Sequence, residues 1–315
     1  MGAKSERRSM NYNVFISTVK EEIERRMDGE ITLRICNAVK NNGVEKIGLA
    51  FQNEDERLSP TIYLEEYFQQ FETGTAMEEV ITSILNLYAE IRYTPDWSGG
   101  GIESFMQMKD LLAYRLINRE KNQSLLEEAP HCEYLDLAIV FYLLLEVGSQ
   151  GSATMMIRNE HLKMWDVSPE EIYQCAVENT PKLLPVEFKS IEAVLEELDI
   201  EEPVKEITGN EAADAQMYVL SNEIRSFGAA VILYDQMLEK LADTIKEPYY
   251  VLPSSVHEVI IVPESKSMAS IELEAMVTEI NQTQVDDEEI LSNRVYFYDA
   301  KKEPELKIVR HKFTI

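Results

Sequence analysis

Three cysteines in 315 residues, Cys36, Cys132 and Cys175, never approach a C-x-x-C spacing. Their distance and odd number offer neither a zinc knuckle nor a disulfide framework, and they read as small apolar residues of a reducing compartment. Histidine is scarce too, at four. Positive charge is short: 30 Lys and Arg stand against 57 Asp and Glu, a formal charge of −27. Such a surface repels nucleic-acid phosphates and anionic membranes, so neither is an expected partner, while a protein partner stays open. Long hydrophobic runs are also missing. The longest, Leu137–Leu145, falls far below the ~20 residues of a membrane helix. The opening MGAKSERRSMNYNVF has no apolar signal core, and Glu6 stands where a myristoylation pattern needs a hydroxyl residue. A cytoplasmic protein is expected.

The motifs that announce common chemistries are absent as well. No G-x-x-x-x-G-K-[ST] phosphate loop, G-x-G-x-x-G turn, G-x-S-x-G elbow, EF-hand loop or H-E-x-x-H helix occurs. The acidic runs Glu196–Glu202 and Asp286–Glu289 lack the alternating ligand spacing of a calcium loop and read as solvated. No cofactor-binding or metal-binding residue is assigned.

What is present is a chain that is 45% hydrophobic, enough for a substantial core. Residues 1–9 read as a disordered tail. Phe15, Val19, Ile23 and Met27 recur at helical spacing. Alternating Ile31, Leu33, Ile35 and Ile47, Leu49, Phe51 flank Asn42-Gly43, predicting a hairpin whose turn takes positive φ. Thr75 and Glu78 read as a capping box before the apolar face Met77, Val80, Ile81, Ile84, Leu85 and Tyr88. TPDWSGGG, Thr94–Gly101, marks a loop and a boundary. The segments LLAYRLINRE, YLDLAIVFYLLLE and SATMMIRNEHLKMW read as strands, and Ser168, Pro169 and Glu171 open a helix. The acidic stretch near 196–214 reads as a linker. A helix through Ile271, Met276, Val277 and Ile280, a short one opened by Asp286 and Asp287, and two strands complete the chain. Helices alternating with hairpins predict an α+β fold with mixed or antiparallel sheets, in two units, 10–95 and 102–315.

The stretch YYVLPSSVHEVIIVPE, Tyr249–Glu264, holds the most pointed polar cluster. A strand over Val256–Val262 would put His257 on one face with Val259 and Ile261, and Glu258 on the other with Ile260 and Val262, so the two could not share a site. His257 then reads as a buried structural histidine, with Ser254 and Ser255 capping the turn before it. The alternative is that His131, just before a strand, and His161, beside Asn159 just after one, converge with His257 at one sheet edge, where three imidazoles would suit zinc. Asn159 and Asn222 each close a strand in two weakly similar stretches, where a short amide bonds the departing backbone. Trp165 and Met164 read as packing anchors. The leading expectation is a non-catalytic binding or accessory protein; the alternative is a hydrolase or metal-dependent enzyme using His131, His161 and His257.

The stretches KNNGV, SPTIYLEEYFQQFETGTAMEEV, YRLINREKNQSLLEEAPHCEYLDLAIVFY, ATMMIRNEHLKMWDVSPEEIYQCAVENTPKLLP, GAAVILYDQMLEKLA and YYVLPSSVHEVIIVP together resemble an uncharacterised family, a domain of unknown function widespread in anaerobic gut Firmicutes. The likeness runs from about Val14 to Asp299. In element order the chain is also distantly similar to a second uncharacterised bacterial family with a histidine-containing strand near its C-terminus. Neither resemblance implies an activity; the first implies a single architecture over its length.

Overall fold

A computed structural model of the chain describes residues 10–28, 31–52, 61–92, 104–148, 151–197, 217–267 and 269–308. The expected tail 1–9, the loop Thr94–Gly101 and most of the linker near 196–214 lie outside these residues. The chain divides into two compact units, Met1–Gly101 and Ile102–Ile315.

In the first unit, helix α1 (Tyr12–Arg26) precedes strands β1 (Thr32–Val39), β2 (Glu45–Gln52) and β3 (Thr61–Tyr63), then helices α2 (Glu65–Thr73) and α3 (Met77–Arg92). The sheet order is β1-β2-β3. Asn42 (φ 60°) and Gly43 (φ 73°) take the positive φ that turns β1 into β2, and Val44 N–H closes the turn on the Asn41 carbonyl at 3.3 Å. Period-3.6 residues of the helices (Phe15, Val19, Ile23, Val80, Ile81, Ile84) and period-2 residues of the strands (Leu33, Leu49, Phe51) form one core. The expected Thr75–Glu78 capping box is displaced by one residue. The Ala76 amide donates to Glu79 Oε2 at 3.3 Å, while Glu78 pairs with Arg26. An alanine start leaves no side-chain acceptor, so the helix keeps only the carboxylate half of the box.

The second unit carries the remaining strands in two sheets. One is formed by β4 (Leu112–Asn118), β5 (His131–Tyr134), β6 (Leu137–Gly148) and β7 (Gly151–Met156), with β6 pairing all three others. The other contains β8 (Val186–Ser190), β9 (Tyr218–Asn222), β10 (Tyr249–Leu252), β11 (Val259–Pro263), β12 (Tyr296–Asp299) and β13 (Glu303–Ile308), ordered β13-β12-β10-β11-β9-β8. Every pairing among the described strands is antiparallel, and the fold is α+β. The run SATMMIRNEHLKMW is strand only to Met156; after Ile157 gives a last amide to the Phe141 carbonyl at 2.9 Å, helix α4 (Asn159–Trp165) follows and buries one stripe, Leu162 and Trp165. Helix α5 (Pro169–Leu183) opens with the expected box: the Glu171 amide donates to Ser168 Oγ at 3.2 Å, and the Ser168 amide donates to Glu171 Oε2 at 2.9 Å. Residues 286–289 form a turn, with the Glu289 amide donating to the Asp286 carbonyl at 2.8 Å, rather than the expected short helix. Four residues cannot close enough bonds to sustain a helix.

β11 is an interior strand, apolar on both faces: Val259 and Ile261 join one core cluster, Ile260 and Val262 another. It starts three residues later than expected. Pro253–Val256 is held by a second strip of backbone, with Ser292 N–H on the Pro253 carbonyl (2.9 Å), Leu291 N–H on that of Ser254 (2.9 Å) and Val256 N–H on that of Glu289 (2.8 Å). That pairing takes up the backbone groups the segment would otherwise offer to the sheet. His257 and Glu258 therefore lie in a connecting bend before the strand.

Candidate functional site

The bend is set by small polar groups. Ser255, buried, accepts the His257 amide on its hydroxyl at 3.0 Å, and Ser221 at the end of β9 donates its hydroxyl to the His257 carbonyl at 2.7 Å. Asn222 closes the next loop in both directions, donating Nδ2 to the Ser226 carbonyl (2.7 Å) and accepting the Ser226 amide on Oδ1 (3.2 Å). Asn159 behaves differently: as the first residue of α4 it donates across to the Glu127 carbonyl at 3.1 Å.

The Asn222 loop delivers Phe227 in a left-handed conformation, φ 55°, which a bulky residue adopts only when its surroundings hold it there. Its amide donates to His257 Nδ1 at 3.3 Å, and its ring stacks on the imidazole with centroids 5.7 Å apart and planes 20° apart. The Arg115 guanidinium lies over the same ring, 4.5 Å from the Phe227 ring centre. Tyr142 meets Phe227 edge-on at 5.5 Å, and its ring centre is 5.8 Å from the guanidinium. His257 Nε2 faces Glu289 Oε1 at 3.3 Å. Guanidinium, phenyl and imidazole thus form a stack that ends on a carboxylate.

Arg115 is the residue that sequence reasoning passed over. Pairing in β4 and β6 puts Ala113, Arg115 and Ile117 on one face with Tyr142, Val140 and Ala138. Apolar clusters lie on either side of the arginine, one with Ala113, Tyr142, Leu144 and Leu184, the other with Ile117, Leu126, Ala138 and Val140. Among the described residues Arg115 makes no ion pair, and its buried Nε has no hydrogen-bond acceptor; the Tyr142 hydroxyl, also buried, has none either. Burial pushes the guanidinium pKa down, with Tyr142 a smaller opposing influence, and burial pushes the Tyr142 phenol up. The signal available in the sequence is one arginine at an inward position of LLAYRLIN.

Protonation of the cluster follows from its neighbours. Burial alone favours the neutral His257 ring, but the Glu289 hydrogen bond, then the charges of Glu289 and Glu258, outweigh it, so its pKa lies above the ordinary 6.5. Burial raises the Glu258 carboxyl, against smaller influences from His257 and Ser255. His257 and Glu258 therefore interact, contrary to the alternation argument, which applies only inside a strand. A group whose folded pKa is raised adds stability that is complete below its unfolded value and fades as pH rises through the folded one. The melting-temperature gap between wild type and His257→Gln is thus expected to be wider at about pH 6 than at about pH 8.5. At the lower pH His257→Ala should melt a few degrees below wild type, from the loss of roughly 1–3 kcal/mol of hydrogen bonding, with His257→Gln recovering part. Equal gaps at both pH values would remove the Glu289 pairing from the account.

The other histidines stand elsewhere. His131 is exposed on β5 with Nδ1 3.0 Å from the Ala129 carbonyl, beside a shallow groove lined by Arg119, Glu120, Gln123, Glu127 and Glu133. His161 accepts the Arg158 amide on Nδ1 at 2.9 Å and stacks on Trp165, and burial lowers its pKa. Trp165 is buried, but Met164 is exposed and anchors nothing, since it points away from the Leu162–Trp165 stripe. Each of the three imidazoles has its own local partner. Among the described residues no group of three or more His, Cys, Asp or Glu is arranged to hold a metal ion, so a three-histidine metal enzyme is not favoured. The described residues also contain no helix long and apolar enough to cross a membrane.

Fold and site define an α+β protein of antiparallel sheets with a cation–aromatic–imidazole stack in its larger unit. The chain belongs to a family of unknown function, DUF5688, whose model matches residues 12–300. No curated protein and no solved structure matches it.

Proposed function

We propose that this chain is a cytoplasmic, non-catalytic binding or accessory protein whose ligand site is the Arg115–Phe227–His257 stack of the unit 102–315. One observation carries the reading. Among the described residues Arg115 Nε is the one buried cationic donor without an acceptor, and the ring of Tyr142, whose buried hydroxyl is also unpartnered, is centred 5.8 Å from the guanidinium. Buried polar groups in folded proteins are nearly always satisfied, so a buried cationic donor left without an acceptor points to a partner from outside. Among the described residues the candidate nucleophiles and bases of the site are already engaged, which supports binding over turnover. Both ring nitrogens of His257 are engaged, by the Phe227 amide and Glu289, and Ser255 Oγ accepts a backbone amide. Burial raises the thiol pKa values of Cys132 and Cys175, leaving little thiolate. The acidic surface argues against nucleic acid and anionic membrane as partners.

Native mass spectrometry of the full chain, incubated with a pooled set of small anions, tests this. Wild type is expected to retain an adduct that Arg115→Met loses, and the released compound is expected to have its original mass. A chemically altered compound whose formation depends on His257 would replace binding with catalysis.

A further inference from the structure

Arg115 is closed off while the stack stands. Its Nε and the Tyr142 hydroxyl are buried, the apolar residues beside them are packed, and Phe227 covers the guanidinium at 4.5 Å. One contact that holds Phe227 in place depends on a proton. The Phe227 amide donates to His257 Nδ1, so that nitrogen carries no proton, and the one ring proton of the neutral imidazole sits on Nε2, facing Glu289 Oε1 at 3.3 Å. We infer that His257 is a proton-operated latch on the Arg115 site: a second ring proton occupies the Nδ1 lone pair, releases the Phe227 amide and lets the Phe227 ring leave the guanidinium. The latch rests on the binding reading above and supplies the regulation of that site.

The backbone around Phe227 is built to shift. Phe227 (φ 55°) and Arg225 (φ 50°) are both left-handed, a conformation that non-glycine residues keep only while their contacts hold them. Gly228 follows directly, and a residue without a Cβ absorbs the accompanying rotation. Either side of residue 227 the chain is anchored, by Asn222 Nδ2 on the Ser226 carbonyl (2.7 Å), Arg225 Nε on Glu187 (2.9 Å) and the Ala229 amide on the Val256 carbonyl (3.2 Å). Movement is thereby confined to Phe227 and its ring. The charges around the imidazole favour the second proton. Burial and the Arg115 charge oppose it, but Glu289, through its hydrogen bond and its charge, and Glu258 outweigh them. Arg225 bears on Glu258, and the Tyr142 phenol, pushed up by burial, stays neutral. Protonated His257 keeps Glu289 as an ion pair and turns an N–H toward the Phe227 N–H. Two donors cannot share that contact.

Phenylglyoxal labelling of the full chain without added anion tests the latch, read by peptide mass spectrometry as the ratio of Arg115 to the exposed Arg34. Normalising to Arg34 cancels the reagent's own pH dependence. The ratio is expected to rise severalfold as pH falls from about 8.5 to about 6. His257→Asn keeps an acceptor where Nδ1 stands but takes up no proton, so its ratio should stay low at both pH values. Glu289→Gln removes the charge that favours the proton and should move the rise to lower pH. Circular dichroism confirms that each variant is folded. A ratio that is flat in wild type, or that rises equally in His257→Asn, would overturn the latch. Repeating the anion-adduct measurement at both pH values separates this from the binding reading. An Arg115-dependent adduct retained equally at both removes the latch and leaves binding standing. A labelling rise with no adduct at either pH removes the binding reading and leaves the proton-driven movement standing.

Discussion

Arg115→Met is expected to raise the melting temperature. Methionine has similar length, packs with Ala113, Ile117, Val140 and Leu144 across the sheet face, and brings no charge to desolvate. The guanidinium it replaces is buried at Nε, pairs with no carboxylate among the described residues and is compensated mainly by its contact with Phe227. That cation–π contact is worth about 0.5–2 kcal/mol, against a desolvation cost of several kcal/mol for a buried ion. The net gain on substitution is on the order of 1–3 kcal/mol, or about 3–8 °C for a unit of this size. Calorimetric melts of wild type and variant measure it directly. A residue retained at a cost to stability is what a binding site requires. A fall in melting temperature would make Arg115 part of the scaffold and remove the basis of the proposed site.

Gly228→Ala is expected to be severely destabilising, by about 3 kcal/mol or more. A Cβ at this position would lie 2.1 Å from Ser221 Oγ, 2.5 Å from the His257 carbonyl oxygen and 2.7 Å from the Asn222 amide nitrogen. Two of these neighbours are backbone, and the third holds the Ser221–His257 hydrogen bond at 2.7 Å. Relief by rotating one side chain is therefore unavailable, and the loop that carries Phe227 has to move away from the bend that carries His257. Urea unfolding measures the loss, and near-ultraviolet circular dichroism should report loosened aromatic packing. Gly43→Ala is the control. It has φ +73° but nothing within 4 Å, so it costs only the backbone strain, on the order of 1 kcal/mol. Equal losses at the two glycines would show that the close approach at Gly228 is not what fixes the bend.

Much of the architecture was written locally. The hairpin at Asn42-Gly43, the Ser168–Glu171 cap and the two-sided apolar run of β11 each depend on residues within a few positions of one another. Where local signals competed, neighbours decided. Thr75 yielded the helix start to Ala76 and Glu79, and His257 was kept out of the ladder because residues 289–292, thirty and more positions on, pair with Pro253–Val256. The histidine itself was visible because it is rare. Its partners were not, since Phe227 and Glu289 reach it by hydrogen bonds that no short-range spacing encodes.

Periodicity, capping and turn chemistry act over one to four residues, so the α+β class, the apolar faces and the lack of familiar catalytic motifs were legible along the chain. Long-range packing gives His131, His161 and His257 separate partners and places Arg115 between two apolar clusters against Phe227. Whether an arginine in a strand faces solvent or an enclosed sheet face depends on what packs over that face. Here the packing residue is Phe227, more than a hundred positions away, and a separation of that size leaves no trace in local pattern.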